Sequence, residues 1–476
     1  MGRTFNFMHF VVVCLFFFCI VESEAKQPLA PALYVLGDSF VASGNDNIQN
    51  TDAKANYAPY GIDFPNGTTG RVTNGLTLVD FYAQWLGLQV PPPYLLFNQS
   101  EKHTEGFNYA SGPAGIRPET STVDHGVFLS MDKQVELFKK TAQEYLPTLF
   151  GNPDELKDYL SKSIFLVVIG RNDYTQNFLS PKYNSSKKWN MKQFAEIITD
   201  ELGSKILDLY TVGARKFLVF EIDAMGCEPA FYEKQKNECS DKLTSYISTY
   251  NHKLEVELQI LAKTVRGAIF ALAKRYQLMY DLVANPTRFG LKDSLNPCCP
   301  VSQSGLCLPN QAPCKDRKSQ VFFDAIHPTE AVYSIIANQC FNGTGLCGSL
   351  NLQELLYRML GARNFVVFEI DAMGCLPVML NTPQPMPPKT RCLDQVNSLV
   401  SICNAKLAAK FNELGSFLKR LKVSPCKDRS SHVFFDGTHP SDATNKVIAT
   451  DYRVLQWHTS MFPNECPTTR AEELEP

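Results

Sequence analysis

Six consecutive apolar residues, Ile164-Phe165-Leu166-Val167-Val168-Ile169, stop abruptly at Gly170 and the polar group Arg171-Asn172-Asp173. Side chains alternate between the two faces of a β-strand, so a strand that is apolar at every position has to be covered on both sides. Such a run calls for a sheet held between two layers, which in one chain means parallel strands joined by helices. Leu33-Tyr34-Val35-Leu36 has the same design and breaks at Gly37-Asp38-Ser39, while Lys216 to Ile222 and Gly267 to Ala273 read as two further strands. Helical spacing fills the intervals: Leu78, Phe81, Tyr82, Trp85 and Leu86 form one apolar stripe, and Gln193 to Tyr210 and Leu243 to Val265 read as helices. The fold class is therefore α/β, with a mostly parallel central sheet covered on both faces.

In open sheets of this kind, ligands bind beyond the carboxyl ends of the strands. Ser39 lies at that edge, as a nucleophile or as the N-cap of a following helix; both readings are open on these residues alone. Asn172, just past the second run, could donate its side-chain amide there. Gly106-Phe-Asn-Tyr-Ala-Ser-Gly-Pro-Ala-Gly115-Ile116 reads as a short strand breaking into a loop of small residues, which bring backbone close to a ligand or to another strand. Val321-Phe-Phe-Asp324-Ala-Ile-His327-Pro328 ends an apolar run with Asp and His three apart. His327 could take a proton from Ser39, with Asp324 fixing its tautomer.

The net charge of −2 over 476 residues gives no reason to expect a nucleic acid as partner. Residues 1–25 read as a signal peptide: Arg3, then the apolar block Phe10 to Val21, then small residues at Ser23 and Ala25. A membrane anchor is the other reading of that block; beyond it no apolar run reaches membrane-spanning length, about 20 residues. Secretion makes disulfides the expected state of the 13 cysteines left from 15 once Cys14 and Cys19 are removed. Cys298, Cys299, Cys307 and Cys314 surround a Pro/Gly-rich loop and read as its staples, and an odd count leaves at least one thiol free or paired between chains. Sequons at Asn66, Asn98, Asn184 and Asn342 are candidate N-glycosylation sites. The histidines at 103, 125, 252, 432 and 458 have no metal-ligand spacing, and no cofactor is expected.

Taken together and in this order, Gly-Asp-Ser, the small-residue loop, Gly-Arg-Asn-Asp and Asp-x-x-His-Pro resemble the plant-type GDSL esterase/lipase family of the SGNH hydrolases. The resemblance runs from about Leu33 to Ala337. It implies a flavodoxin-like three-layer α/β/α sandwich, with Ser39 as nucleophile, His327 as general base and then acid, and Asp324 orienting it. It further implies an oxyanion hole made by the Ser39 N–H, the Gly115 N–H and the Asn172 side chain. Pro113 removes one N–H from the loop, and Gly112 is the alternative donor. No Gly-x-Ser-x-Gly elbow occurs in the chain.

Past residue 348 the sequence repeats itself. Gly213 to Cys227 returns as Gly361 to Cys375 with only Lys216/Asn364 and Leu218/Val366 changed, and Pro313 to Asp324 returns, little altered, as Pro425 to Asp436. Residues 349–476 are thus a partial second copy of the hydrolase domain at 26–348. They carry Asp436 and His439 but no second Gly-Asp-Ser, no small-residue loop and no Gly-x-Asn-Asp. Two readings stand for this copy: an inert fragment, or a segment that exchanges with its counterpart in the first sheet.

The expected function is a secreted serine esterase acting on lipid or other acyl esters through an acyl-enzyme. The alternatives are an acyltransferase using the same intermediate, and a non-catalytic accessory protein of a plant defence glucosidase system.

Overall fold

The computed structural model describes residues 28–357, except 50, 52, 53, 99, 124, 125, 128, 234, 344 and 349, together with a helical stretch over 397–405 from which 399 and 403 are omitted. The expected signal peptide and, apart from that stretch, the repeated tail with Asp436 and His439 lie outside the described residues. The chain divides into two units, Met1–Leu360 and Gly361–Pro476; the first is described here.

Four parallel strands form its sheet in sequence order: β1 (Leu33–Gly37), β2 (Ile164–Val168), β3 (Lys216–Phe220) and β4 (Ile269–Ala273). The free edge of β1 is occupied by the segment 105–109. Leu33 and Val35 donate to the carbonyls of Glu105 and Phe107, and Tyr109 donates back to Val35, at 2.8–3.0 Å. The strand expected from Gly106 is thus a short backbone pairing that ends where the small-residue loop starts. Val321–Phe323, the apolar run before Asp324, joins no sheet: Phe322 makes a single bridge to Pro328, and the N–H groups of Cys298 and Cys299 donate to the Phe322 and Phe323 carbonyls.

The pleat sorts the strand residues into two cores. Leu33, Val35, Ile164, Leu166, Val168, Leu218, Phe220, Ala271 and Ala273 face one layer, built from α1 (Leu78–Leu86), α6 (Arg275–Ala284), α7 (Glu330–Phe341) and α8 (Leu352–Tyr357). Tyr34, Leu36, Phe165, Val167, Phe217 and Val219 face the other: α2 (Met131–Lys140), α3 (Pro153–Lys162), α4 (Met191–Thr211) and α5 (Asp241–Thr264). The first unit is therefore a three-layer α/β/α sandwich. On the second face the register lines up Tyr34, Phe165, Phe217 and Phe270, whose neighbouring rings lie 5.1–5.7 Å apart across the whole sheet. Flat rings at paired positions bury much area at little conformational cost, which suits a sheet with no wet face.

The eight cysteines among the described residues of the first unit pair as Cys227–Cys239, Cys298–Cys314, Cys299–Cys307 and Cys340–Cys347. The expected staples of the 298–314 loop are among them; the odd cysteine of the count falls outside the described residues. The four sequon asparagines are all exposed.

The first unit runs on past residue 348. Leu352, Leu355 and Leu356 of α8 are 0–3% exposed and belong to the core that also holds α7. Lys216, at the start of β3, donates its Nζ proton to the Leu356 carbonyl at 2.8 Å, closing the C-terminal end of α8. Leu355→Ala therefore lowers stability by about 2–5 kcal/mol, the usual cost of a cavity in a packed core; chemical denaturation of the variant beside wild type measures it.

Candidate active site

The site begins where β1 ends. Gly37 lies so close to β2 that a Cβ on it would fall 2.3 Å from the Val168 carbonyl oxygen. Gln134 of α2 holds the same glycine from the other side, accepting from its N–H at 2.7 Å and donating to its carbonyl at 2.8 Å. Asp38 donates its N–H to Val168, and the chain then turns at once, with Val41 and Ala42 donating to the Asp38 carbonyl. No α-helix starts at Ser39; the first follows at α1, capped by Thr77. Ser39 is thus not an N-cap. It is the one partly exposed residue between buried Asp38 and buried Phe40.

Asp324 and His327 reach the same edge on a single tight turn. The Asp324 Oδ1 accepts the N–H groups of Ile326 and His327 at 2.8 and 2.7 Å, which folds the three-residue spacing back on itself. The carboxylate then faces His327 Nδ1 at 2.9 and 3.0 Å. His327 Nε2 lies 2.8 Å from Ser39 Oγ. With Nδ1 donating to the carboxylate, Nε2 is left as an acceptor for the serine proton. Asp324 is fully buried and His327 almost so.

The three expected oxyanion donors stand differently. The Ser39 N–H meets no acceptor among the described residues. The Asn172 amide gives one N–H to the Ala114 carbonyl at 3.0 Å, and the second N–H of the same group remains. Gly115 donates its N–H to Ser121 Oγ at 3.1 Å, and Gly112, the alternative, donates to Asp46 Oδ2 at 2.7 Å. A packing reason also fixes glycine at 115: a Cβ would lie 2.4 Å from Thr120. The loop is tied down by two buried carboxylates. Asp46 bonds Ser111 and Gly112, and Asp173 accepts from Ile116, Arg117 and Thr120.

Behind Ser39 lies a buried ionic group that sequence reading missed. Asp38 follows β1, Arg171 follows β2, Asp223 and Glu228 follow β3, and Arg275 follows β4; all are at most 3% exposed. Arg171 pairs with Glu228 at 2.7 Å, Arg275 lies 3.7 Å from Asp223, and each guanidinium is 4.8 Å from the centre of the Phe40 ring. That ring lies 5.2 Å from the His327 imidazole. Two stacked cations hold Phe40, and with it the turn that presents Ser39. Asp38 and Arg171 stand inside the Gly-Asp-Ser and Gly-Arg-Asn-Asp motifs, but charged residues spread over 237 positions give no local pattern that marks them as one group.

Burial dominates the titration of these acids. Desolvation pushes Asp38, Asp46 and Asp173 up to about 6 and Glu221 up to about 7, against the opposing pull of hydrogen bonds and, for Asp38, of Arg171. A carboxyl raised in the folded state makes the folded chain hold more protons than the unfolded one between its two values. Its stabilising contribution is complete below the unfolded value, about 4, and is lost as pH rises through 6 to 7. The protein therefore melts at a higher temperature at pH 5 than at pH 8. Circular-dichroism melts at the two pH values check this; a lower Tm at pH 5 counts against it.

Known proteins can now be set beside this geometry. The family described as GDSL-like lipase/acylhydrolase matches residues 33–340. GDSL esterase/lipase 7 of Arabidopsis thaliana is 38% identical over 349 residues, covering 70% of this chain and 95% of the relative. A second Arabidopsis thaliana GDSL esterase/lipase, At1g33811, is 38% identical over 347 residues, 70% and 93% of the two chains, and a third, At1g71691, is 34% identical over 344 residues, 71% and 88%. In each case the matched length is close to that of the first unit.

Proposed function

The chain belongs to the GDSL-like lipase/acylhydrolase family, and from that premise we propose that it is a secreted serine hydrolase that cleaves carboxylic esters through an acyl-enzyme on Ser39. That it is a carboxylic ester hydrolase follows from the family and from the esterase/lipase relatives. The observation that carries the mechanism is the unbroken chain Ser39 Oγ, His327 Nε2, His327 Nδ1, Asp324, with links of 2.8 and 2.9 Å at the carboxyl edge of the sheet.

In this reading His327 takes the Ser39 proton as Oγ attacks the ester carbonyl, and Asp324 stabilises the imidazolium that forms. The alkoxide of the tetrahedral intermediate is met by the Ser39 N–H and the second Asn172 N–H. The Gly115 N–H joins them by exchanging the neutral Ser121 hydroxyl for a charged oxygen, the stronger acceptor. Collapse of the intermediate expels the alcohol, which leaves with the proton from Nε2. Water then attacks the acyl carbon, giving a proton to the same nitrogen; the bond to Ser39 Oγ breaks, the acid is released, and Oγ takes the proton back from Nε2. Secretion is supported by the signal-peptide pattern of residues 1–25, by the four disulfides and by the exposed sequons. Among the described residues no helix is long and apolar enough to cross a membrane.

A fluorophosphonate probe tests the nucleophile directly: wild type becomes labelled and Ser39→Ala does not. Labelling of both, or of neither, overturns Ser39 as an activated serine. Asn172→Ala lowers kcat by roughly a hundredfold or more, the usual effect of losing one oxyanion donor, with little change in KM; initial rates on a p-nitrophenyl ester measure it.

A further inference from the structure

The Asp324 carboxylate takes two N–H groups and an imidazole from its own turn, but a fourth partner comes from far away in the chain. Tyr60 donates its hydroxyl proton to Asp324 Oδ2 at 2.7 Å, across 264 residues. We propose that Tyr60 is a positioning residue for catalysis, holding the Asp324 carboxylate in the orientation that His327 requires. The proposal rests on the reading of Ser39, His327 and Asp324 as a triad.

The direction of that hydrogen bond is forced. A phenol has one O–H, and the Tyr60 oxygen already accepts the Cys307 N–H at 2.9 Å, so its own proton is the one that points at Asp324. Tyr60 is fully buried, and burial together with the Asp324 charge holds its hydroxyl well above the ordinary tyrosine range, so it stays protonated and remains a donor at any working pH. Its ring is wedged edge-on between Tyr57 and Phe323, with centroids 5.4 and 5.7 Å away.

The partner of Tyr60 is in turn fixed by the stapled loop. Cys307 is bonded to Cys299, whose N–H donates to the Phe323 carbonyl at 3.1 Å, immediately before Asp324. Tyr57 donates to the Cys307 carbonyl at 2.8 Å, and Asn310 donates to the Ala58 carbonyl at 2.7 Å. One disulfide loop thus grips both the backbone that carries the acid and the tyrosine that orients it. The turn residues alone fix Oδ1; Tyr60 fixes Oδ2, so the carboxylate plane cannot rotate away as the imidazolium forms.

The test is a double-mutant cycle in the full chain on a p-nitrophenyl ester, with wild type, Tyr60→Phe, Asp324→Asn and the double variant. Phenylalanine keeps the ring and removes only the hydroxyl. Tyr60→Phe is expected to lower kcat by about tenfold with KM unchanged, in line with loss of one buried hydrogen bond to a charged group. In the Asp324→Asn background the same change is expected to cost nothing further. Tyr34→Phe, which removes a buried hydroxyl bonded to Tyr159 at 2.8 Å near the start of β1 and away from Asp324, keeps the wild-type kcat. Wild-type turnover in Tyr60→Phe overturns the proposal. So does an equal loss in the Asn background, or an equal loss in Tyr34→Phe, either of which marks a merely structural role. Wild type as inert as Ser39→Ala overturns instead the esterase reading on which the proposal stands.

Discussion

The contact on which the site depends is the one between the ends of β1 and β2, where Gly37 and Val168 approach too closely for any side chain to stand between them. Parallel pairing brings the two strands to a common level, and the Asp38 N–H closes onto Val168 as the last bond of the ladder. Everything beyond that level is turn rather than strand, so Ser39 on one strand and Asn172 on the next emerge side by side. Gln134, bonded to both backbone groups of Gly37, ties the end of β1 to the helical layer. Ser39, the proposed nucleophile, is therefore set by the rigid part of the molecule and not by a loop of its own.

The same edge is where the fold tolerates charge. A sheet apolar on both faces has no room for ions within it, yet each strand delivers one or more to its carboxyl end: Asp38, Arg171, Asp223 with Glu228, and Arg275. Isolated, each would be too costly to bury. Gathered around Phe40 they partly neutralise one another, while the carboxyls that remain undercompensated rise toward neutrality. In the proposed reaction the ester meets a serine beside groups that are already ordered and largely buried, conditions in which a few hydrogen bonds to a developing oxyanion act strongly.

Asp324 and His327 arrive by another route. Val321–Phe323 forms no strand of the sheet, and the turn from Asp324 to His327 is carried instead by the disulfide loop of residues 298–314 through Cys298 and Cys299, which bond the carbonyls of Phe322 and Phe323. Two scaffolds thus converge on one hydrogen bond between Ser39 and His327. The disulfides are part of the site's architecture, since the staples stand directly behind Asp324.

What the sequence by itself determined is what local pattern encodes. Uninterrupted apolar runs required a sheet covered on two faces, helical stripes supplied the cover, and Gly-Asp-Ser, Gly-Arg-Asn-Asp and Asp-x-x-His each carry their chemistry within a few residues. Ser39, Asn172, Asp324 and His327 were legible for that reason. The tertiary structure decided what depends on residues that meet only after folding. It placed Ser39 on a turn rather than at a helix cap, turned the Gly115 amide toward Ser121, brought Arg171 and Arg275 onto one phenylalanine, and carried α8 into the core beyond residue 348. It also set Tyr60 against Asp324. The physical reason is the range of the interactions: backbone propensity and hydrophobic periodicity act between near neighbours, whereas a buried hydrogen bond or ion pair acts over a few ångströms between groups that the sequence can separate by any distance.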